Sequence, residues 1–468
     1  MTGFITTFIR KQIEDRIKRA LAEEGIMVIS VLKWTVLATI TGAIVGLSSG
    51  GFLKLLQWAT GFSGRYSYYF LLLPAGFFIS SVLVRYLAPD AKGHGTEKVI
   101  EAVHKRSGKI ALPVVPVKLA ATVVTLFVGG SVGKEGPSAQ IGAGLASAFA
   151  GLFRFSDADR KKLVICGISA GFASVFGTPI AGSIFGIEVL FIGGMMYEVL
   201  LPSFIAGIIS FEVASHLGVS YFYHHFNFVP SFSSSFFSKV ILAGIFFGIV
   251  SVIMIEGLKL GEKLAHRMKF WTPLRGVVGG CMLIVLTFVF SRQYLGLGLD
   301  SIEGALTGLQ FVWYAFLLKI VFTSITLGME GSGGIITPIF FVGATAGSAF
   351  ASLLGLDPAT FAAIGMVALV AGAANTPIAA SILSVELFGP AIAPYAAIAA
   401  VTSFLISGHR SVYPSQVLAM TKSPSLEVEQ GCEIVDARPT FAPREKSLVS
   451  FLYYRVWRFL CRAGGREG

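Results

Sequence analysis

An all-α polytopic membrane fold is predicted by three features: an apolar composition, many apolar segments of uneven length, and an internal repeat. Of the 468 residues, 54% are hydrophobic and only 13% are charged. That charged fraction is about half of what an ordinary soluble domain carries. The composition therefore excludes the water-soluble globular classes and predicts a chain that is mostly embedded in lipid.

The apolar segments differ in length, which predicts two kinds of helix. A helix needs about 20 apolar residues to span a bilayer, and a run below about 17 does not cross comfortably. Shorter segments such as Pro179–Ile192 and Phe361–Ala373 are broken by Gly or Pro. They predict partial crossings that are buried in protein and point their ends at a central site. The segments near or above spanning length are Met27–Leu56, Tyr69–Leu87, Leu112–Val128, Val240–Ile255, Gly276–Phe290, Phe311–Leu327 and Ile392–Ile406.

The charged segments predict how the chain lies in the membrane. Residues 1–26 form a charged, amphipathic stretch without the core and cleavage site of a secretory signal, so we expect a cytoplasmic helix along the membrane surface. Loops Ala91–Lys109 and Arg154–Lys162 carry clustered Lys and Arg and are expected on the cytoplasmic side, as are both termini. The net charge of +11 is spread over termini and loops. It favours contact with anionic lipid in a plasma or inner membrane, and not nucleic-acid binding.

The two halves of the chain are related by an internal sequence repeat. Thr178–Glu188 and Thr376–Glu386 share seven of eleven residues at an offset of 198. Gly142–Phe149 matches Gly343–Phe350 at an offset of 201. We place a first membrane repeat at 27–220 and a second at 236–420. Duplicated halves with broken segments at matching positions predict a binding site at their interface. The residues alone leave open whether the halves run parallel or inverted.

One charge lies where the pattern predicts membrane depth. Glu135 follows Gly133 and Lys134 and precedes Gly136 and Pro137. A carboxylate at this depth costs about 2.5–3.5 kcal/mol to insert, so such residues usually serve a function. Glycines and a proline here predict a helix N-terminus with exposed amides, which attracts anions, including the carboxylate itself. We therefore predict a gate: a carboxylate that occupies an anion site and is displaced from it. The alternative is a polar loop that happens to contain Glu.

The second repeat has no such carboxylate. Where the first half has Lys134 and Glu135, the second has Ile335 and Ile336. One half therefore provides the ionisable gate and the other an apolar wall with a Gly-rich helix start. The four cysteines and seven histidines form no ligand cluster, and no nucleophile–base pair or nucleotide loop is present. We expect no metal or cofactor and a transport pathway; a membrane enzyme or a receptor-like scaffold is the less favoured alternative.

These motifs resemble the CLC family of chloride channels and proton/chloride antiporters. Gly133-Lys-Glu-Gly-Pro137 is similar to the family signature whose glutamate is the external gate, and Gly333-Gly-Ile-Ile-Thr-Pro338 to the segment whose amides face the central anion. The resemblance covers roughly residues 30–420. It implies an inverted-repeat fold and a homodimer with one pathway per subunit. It also implies matching roles for Tyr413 as the pore tyrosine, and for Lys118, Glu188 and Glu386 as structural or auxiliary residues.

The chain departs from the family pattern at two positions near the pathway. His94, in Gly93-His-Gly-Thr-Glu97, replaces the serine that touches the central anion. It is either an imidazole donor at the inner anion site or a surface-loop residue. Val189 stands where antiporters carry an inner proton-relay glutamate. We accordingly expect anion-binding groups at His94, Gly133, Lys134, Ile335, Ile336 and Tyr413.

The expected function is transport of chloride or another small anion, with protons acting at the gate. Val189 favours channel-like or weakly proton-coupled transport, and stoichiometric proton exchange with chloride or fluoride is the alternative. Residues 421–468 are expected to form a short cytoplasmic tail without paired nucleotide-binding modules. Its end interleaves Arg455, Arg458 and Arg462 with aromatic residues, which is typical of a basic amphipathic segment.

Overall fold

The structure is a computed structural model that describes residues 2–221, 223–224, 226, 233–269, 271–442, 448 and 450–455. These residues are mainly α-helical. The helices are α1 Thr2–Ser63, α2 Leu73–Leu87, α3 Thr96–Lys105, α4 Val114–Phe127, α5 Glu135–Leu152, α6 Asp157–Phe176, α7 Pro179–Glu188, α8 Leu200–His216, α9 Ser234–Arg267, α10 Thr272–Val289, α11 Leu299–Leu306, α12 Ala315–Gly328, α13 Ile336–Leu354, α14 Pro358–Ala374, α15 Pro377–Phe388 and α16 Ala393–Ile406.

The apolar helices differ in length, and those of spanning length differ in burial. Within the described ranges, six helices are long and apolar enough to cross a membrane, including the Ala22–Ser63 part of α1 and all of α13. Helices α4, α12, α14, α15 and α16 are apolar but have only 10–17 residues. In the apolar window of α13, 83% of residues are buried, against 28% for α1. Helix α13 is therefore a central element, while α1 presents its apolar surface outward, as a lipid-facing helix does.

The helix starts and ends have local causes in the sequence. Proline lies in the first turn of α7, α14 and α15, where its missing N–H costs nothing and its fixed φ suits a helix. The Ser156 hydroxyl accepts a hydrogen bond from the Asp159 amide and so caps α6. Helix α6 ends at Gly177, whose φ of 72° is left-handed.

The two repeats face each other across a local pseudo-twofold axis. Gly133 and Gly334 exchange two backbone hydrogen bonds of 2.7 and 2.6 Å in an isolated antiparallel bridge. Behind this bridge, the Ser131 amide donates to Thr326 of the other repeat at 3.1 Å. The matching Ser332 amide donates to Thr125 at 3.0 Å. Each loop is thus held by a hydroxyl of the other half, which fixes the two helix starts that follow.

Close contact between helices depends on glycine at matching positions. A Cβ built on Gly142 of α5 would lie 2.4 Å from the Gly167 carbonyl oxygen of α6. The repeat partner Gly343 of α13 has the same relation, also 2.4 Å, to Gly365 of α14. In lipid the hydrophobic effect does not drive helices together, so their association depends on close van der Waals packing. Small residues allow the helix backbones to approach closely enough for this packing. The two helix pairs form the core that carries the central loops.

Glu188 and Glu386 bind helix ends across the repeat interface. Glu188, the last residue of α7, accepts hydrogen bonds of 3.0 and 2.7 Å from two first-turn amides of α15. Glu386 in α15 accepts bonds of 3.1 and 2.7 Å from the corresponding amides of α7. The first amides of a helix have no intrahelical acceptor, and negative charge is favoured there. These contacts correspond to the structural role that the resemblance suggested for both residues.

We expect Glu188→Gln to lower the stability of the protein. The substitution removes a charge and one acceptor oxygen from two buried amides, and a hydrogen bond to a charged group contributes about 1.5–3 kcal/mol. The thermal unfolding midpoint in detergent should fall. The control is Glu212→Gln, because Glu212 lies on the exposed part of α8. Equal midpoints for Glu188→Gln and the wild type would contradict this role.

Both ends of the chain extend beyond the repeats. Helix α1 runs without a break from Thr2 to Ser63, so the stretch predicted as a separate amphipathic helix is its first part. Its position on a membrane surface stays a prediction. After α16, β2 (Val417–Leu418) pairs in parallel with β1 (Phe191–Ile192), which ties the following segment to the first repeat. Arg458 and Arg462 lie outside the described residues.

The segment after α16 is held by two further contacts. Strand β3 (Leu426–Glu427) pairs antiparallel with β4 (Thr440–Phe441). The Lys422 ammonium donates to the Phe404 carbonyl at 2.7 Å and to Asn375 Oδ1 at 2.6 Å. The start of the tail therefore packs on the end of the second repeat.

Candidate functional site

The candidate site lies where two helices from different repeats begin. Helix α5 begins at Glu135 and α13 begins at Ile336, immediately after the bridge between Gly133 and Gly334. Because the bridge joins the preceding loops, both N-termini lie close together. Lys134 and Ile335 occupy the N-cap positions, and neither side chain caps its own helix. The amides of both first turns are therefore available to an anion or to another acceptor.

The carboxylate of Glu135 occupies the start of α13. Its side chain is buried, with 2% of the residue exposed. Oε2 accepts a hydrogen bond of 3.2 Å from the Thr337 amide, and Oε1 accepts one from the Thr337 hydroxyl. The partial positive charge of a helix N-terminus favours this arrangement. A carboxylate of the first repeat is thus held in an anion-binding position of the second.

Gly133 leaves the room that this carboxylate needs. A Cβ built at Gly133 would lie 2.3 Å from Glu135 Oε2 and 3.1 Å from the Thr337 nitrogen. Any larger residue there would displace either the carboxylate or the helix start. Sequence reasoning missed Thr337. Thr337 could have been recognised because its hydroxyl comes immediately before Pro338, in the helix start that corresponds to the Gly133–Pro137 segment of the first repeat.

A third loop, before α3, closes the site from the other side. Gly95 has a φ of 83°, and a Cβ on it would lie 2.5 Å from the Gly136 carbonyl oxygen. A Cβ on Gly136 would in turn lie 2.0 Å from the His94 carbonyl oxygen. The buried Lys118 ammonium donates to the Gly93 carbonyl at 2.6 Å and to the Ala91 carbonyl at 3.1 Å. Lys118 therefore positions the loop that carries His94.

Three polar atoms around this loop are buried without a hydrogen-bond partner among the described residues. They are Nδ1 of His94, Oγ1 of Thr96 and the hydroxyl of Tyr413. The rings of His94 and Tyr413 lie edge to face, 6.5 Å apart. Buried polar groups are normally paired because an unpaired one costs free energy. Hydroxyl and imidazole donors left unpaired together are what a small anion would bind. Sequence reasoning missed Thr96, although it lies in the motif quoted for His94.

Comparisons with known proteins decide the family. Residues 75–408 match the model of the family described as voltage gated chloride channel. The chain belongs to the CLC family. It is 38% identical over 401 residues to the "Chloride/fluoride channel protein" of Pseudomonas syringae pv. tomato, covering 84% of this chain and 88% of that protein. It is 26% identical over 427 residues to the "H(+)/Cl(-) exchange transporter ClcA" of Salmonella paratyphi B, covering 82% and 87%.

Solved structures share the fold. The chain superposes on the crystal structure of a CLC-type fluoride/proton antiporter with a TM-score of 0.79 and 27% identity, covering 83% of this chain and 99% of that one. A slow cyanobacterial Cl⁻/H⁺ antiporter shares the fold at a TM-score of 0.69 and 21% identity, covering 80% and 94%. The predicted family and the CLC-like helical membrane fold are both confirmed.

At position 189, which the sequence predicts to be an inner proton-relay position without a carboxylate, this CLC protein has a buried valine. Val189 follows α7 and is fully buried. Its backbone carbonyl accepts a hydrogen bond of 2.8 Å from Nε2 of the Gln416 side chain. A valine side chain cannot bind a proton. The neighbouring Glu188 is engaged by α15 and does not replace it.

A charged cavity leads to the His94 loop. It has a volume of about 640 Å³ and contains Gly93 and His94 at one end, beside Val412 and Pro414, which flank Tyr413. We call it the vestibule. Its charged lining residues are Lys92, Glu97, Lys98, Glu101, Lys105, Lys259, Glu262, Arg275, Glu330 and Glu433. Basic and acidic groups are thus mixed in it. It lies on the side of loop Ala91–Lys109, which the charge pattern predicts to be cytoplasmic.

Proposed function

We propose that this CLC protein transports chloride or fluoride through a pathway gated by Glu135. The observation that carries the proposal is the carboxylate of Glu135 in the anion-binding position at the start of α13. Protonation removes its charge and weakens its hold on the helix amides, so an anion can take its place. The printed names of the relatives support chloride and fluoride as the anions.

The central anion would be bound by the unpaired groups of the third loop. Tyr413 and Thr96 offer hydroxyl donors, and His94 offers an imidazole N–H. The backbone amides of Ile335 and Ile336, at the start of α13, would add donors from the opposite repeat. No formal positive charge is required, because helix amides and neutral donors together stabilise a halide. A weakly held anion is also the one that leaves fast enough for transport.

Two variants test this anion site. A neutral hydrogen bond contributes about 1 kcal/mol net, so Tyr413→Phe and His94→Ala should each weaken chloride or fluoride binding about fivefold. Calorimetry on purified protein measures this directly. Tyr66→Phe is the control, since Tyr66 is 59% exposed in a loop between helices. Unchanged affinities in both variants would remove these side chains from the site. His94→Ser should in addition change the ratio of chloride to fluoride affinity if position 94 contacts the anion.

The coupling to protons has two candidate forms. Val189 favours channel-like transport in which protons act on Glu135 from one side only, since no bare proton is stable within the membrane. Stoichiometric exchange is the second candidate, and one observation favours it: an acidic residue, Glu97, lies beside His94 in the vestibule. Uphill proton movement driven by an anion gradient at zero voltage separates the two. Sustained movement at a constant ratio supports exchange, and its absence supports the channel.

The proposed assembly is a homodimer in a lipid membrane with one pathway per subunit. The resemblance to the family supports it, and each subunit contains every element of the site described above. Cross-linking of the protein in native membranes would test the dimer. Mixed dimers with one Glu135→Gln subunit should then keep half of the gated flux, because the pathways are separate.

A further inference from the structure

Glu97 occupies a position between the anion site and the vestibule. It lies in the first turn of α3, one residue after Thr96. Its Oε2 atom is 3.7 Å from Nδ1 of His94, and its Oε1 atom accepts a hydrogen bond of 3.3 Å from the Ser415 hydroxyl. Only 25% of the Glu97 side chain and 19% of the His94 side chain are exposed. The pair therefore contacts the cavity without being freely solvated.

Nδ1 of His94 has no hydrogen-bond partner, and the carboxylate is the nearest acidic group to it. A separation of 3.7 Å is slightly beyond hydrogen-bond length, so a small side-chain rotation brings the two groups into hydrogen-bond distance. The imidazole ring of His94 also lies edge to face with the Tyr413 ring. A neutral imidazole accepts a proton at one nitrogen and releases one from the other. His94 thus lies beside both Glu97, which lines the vestibule, and Tyr413, at the candidate anion site.

We propose that Glu97 is the proton-accepting group on the vestibule side of the pathway and that neutral His94 relays its proton toward Glu135. The proposal rests on the proposed function of Glu135 as a gate. A proton passes from water in the vestibule to the Glu97 carboxylate, and then to Nδ1 of His94 as the Nε2 proton passes toward the Glu135 carboxylate. The Glu97 carboxylate is regenerated, the imidazole stays neutral throughout, and rotation of the ring restores its first tautomer before the next proton. This site replaces the carboxylate that position 189 lacks.

The burial of Glu97 suits a proton acceptor. Burial raises the pKa of Glu97 to about 7 against the opposing effect of Lys98, so its protonated fraction rises as the pH falls through neutrality. Burial, helped by the Lys118 ammonium, lowers the pKa of His94 to about 4, which keeps the imidazole neutral. The groups that face the pair are Lys98 and Glu101 on α3, Glu262 on α9, Ser415 after α16, and Lys118 on α4. Lys92, Lys259, Arg275, Glu330 and Glu433 also line the cavity.

Glu101 provides a matched comparison on the same helix. It lies about one turn after Glu97 and also lines the vestibule, but its carboxylate is paired with the Lys98 ammonium at 2.8 Å. That pair lowers the pKa of Glu101, so it stays ionised at neutral pH. Among the ion pairs of the described residues, His94 is joined to Glu97 and Glu101 to Lys98. A role that depended only on negative charge in the cavity would be shared by both residues, whereas a relay requires Glu97.

The test is proton uptake driven by a chloride or fluoride gradient in liposomes clamped at zero voltage, with protons and anions recorded together. The wild type should move protons at a constant ratio to anions. Glu97→Gln should lower that ratio about tenfold or more, since the loss of one positioned acid–base group costs at least this much. Glu97→Asp should restore part of it because the carboxylate is kept. Glu101→Gln should keep the wild-type ratio.

The outcomes separate this proposal from the proposed function. A wild type that moves no protons, or a Glu97→Gln protein with an unchanged ratio, overturns the relay while leaving the gate untouched. An equal loss in Glu101→Gln also overturns it, since cavity charge would then explain the result. A Glu135→Gln protein that keeps wild-type pH dependence overturns the gate itself. If Glu97→Gln does not fold, Glu97→Asp tests the relay instead. The pH dependence of its proton-to-anion ratio should shift, because the shorter carboxylate is hydrated differently. An unshifted pH dependence would overturn the relay.

Discussion

Glu135→Gln should give anion flux that no longer depends on pH and that exceeds wild-type flux at neutral pH by about tenfold or more. The amide is neutral, like the protonated acid, so it does not hold the start of α13 as a charged carboxylate does. Loss of one charged hydrogen bond, about 1.5 kcal/mol, corresponds to a factor of about ten. Wild-type flux should rise as pH falls. Liposome flux measured with a halide electrode over a pH series checks both statements.

The control for this prediction is Glu212→Gln on α8. Glu212 is exposed and does not line the vestibule. Its flux and pH dependence should match the wild type. A Glu135→Gln protein whose chloride flux still follows wild-type pH dependence would exclude Glu135 as the titrating gate.

Gly136→Ala should abolish transport, or reduce it about tenfold or more. The added methyl group would lie 2.0 Å from the His94 carbonyl oxygen and 3.1 Å from the Gly334 Cα. Favourable contacts between such atoms lie near 3.5–4.0 Å, so the His94 loop has to move away from both helix starts. That movement separates His94 from Tyr413 and from the start of α5. Flux in liposomes and elution as a folded species in detergent are measured on the same sample.

Gly51→Ala is the matched control for Gly136→Ala. Gly51 lies on an exposed part of α1, and no heavy atom comes within 4 Å of a Cβ built there. Alanine should be neutral or slightly stabilising at this position, since glycine costs about 0.5–1 kcal/mol in a helix interior. Wild-type flux from folded Gly136→Ala protein would show that the close approach of the His94 loop is not required.

The sequence was sufficient for features that depend on residue type and spacing. Broken apolar segments predicted short helices, because a run too short for a bilayer has to be buried in protein. The repeat predicted a site at the interface of the two halves, and Gly133 and Gly334 meet at that interface. Glu135 was recognisable because a carboxylate between glycines and a proline has few structural uses at membrane depth. These inferences need only local chemistry and periodicity.

Contacts between distant parts of the chain could not be read in this way. Thr337 lies 202 positions from Glu135, and Ser415 lies 318 positions from Glu97. Thr337 had one local signal, its position before Pro338 in a helix start, but nothing local marks Ser415 as the partner of a carboxylate. Thr96 was likewise indistinguishable from any threonine at a helix start until its neighbours showed that its hydroxyl is unpaired.

The sequence by itself determined the class of this protein, its repeated architecture and the absence of a titratable side chain at position 189, and it predicted the gate residue. The tertiary structure alone decided which groups lie beside one another: Glu135 at the start of α13, Glu188 and Glu386 at each other's helices, and Glu97 beside His94. The physical reason is that hydrophobic periodicity fixes where each helix forms, whereas proton transfer and anion binding depend on distances of a few ångströms between segments that only packing brings together.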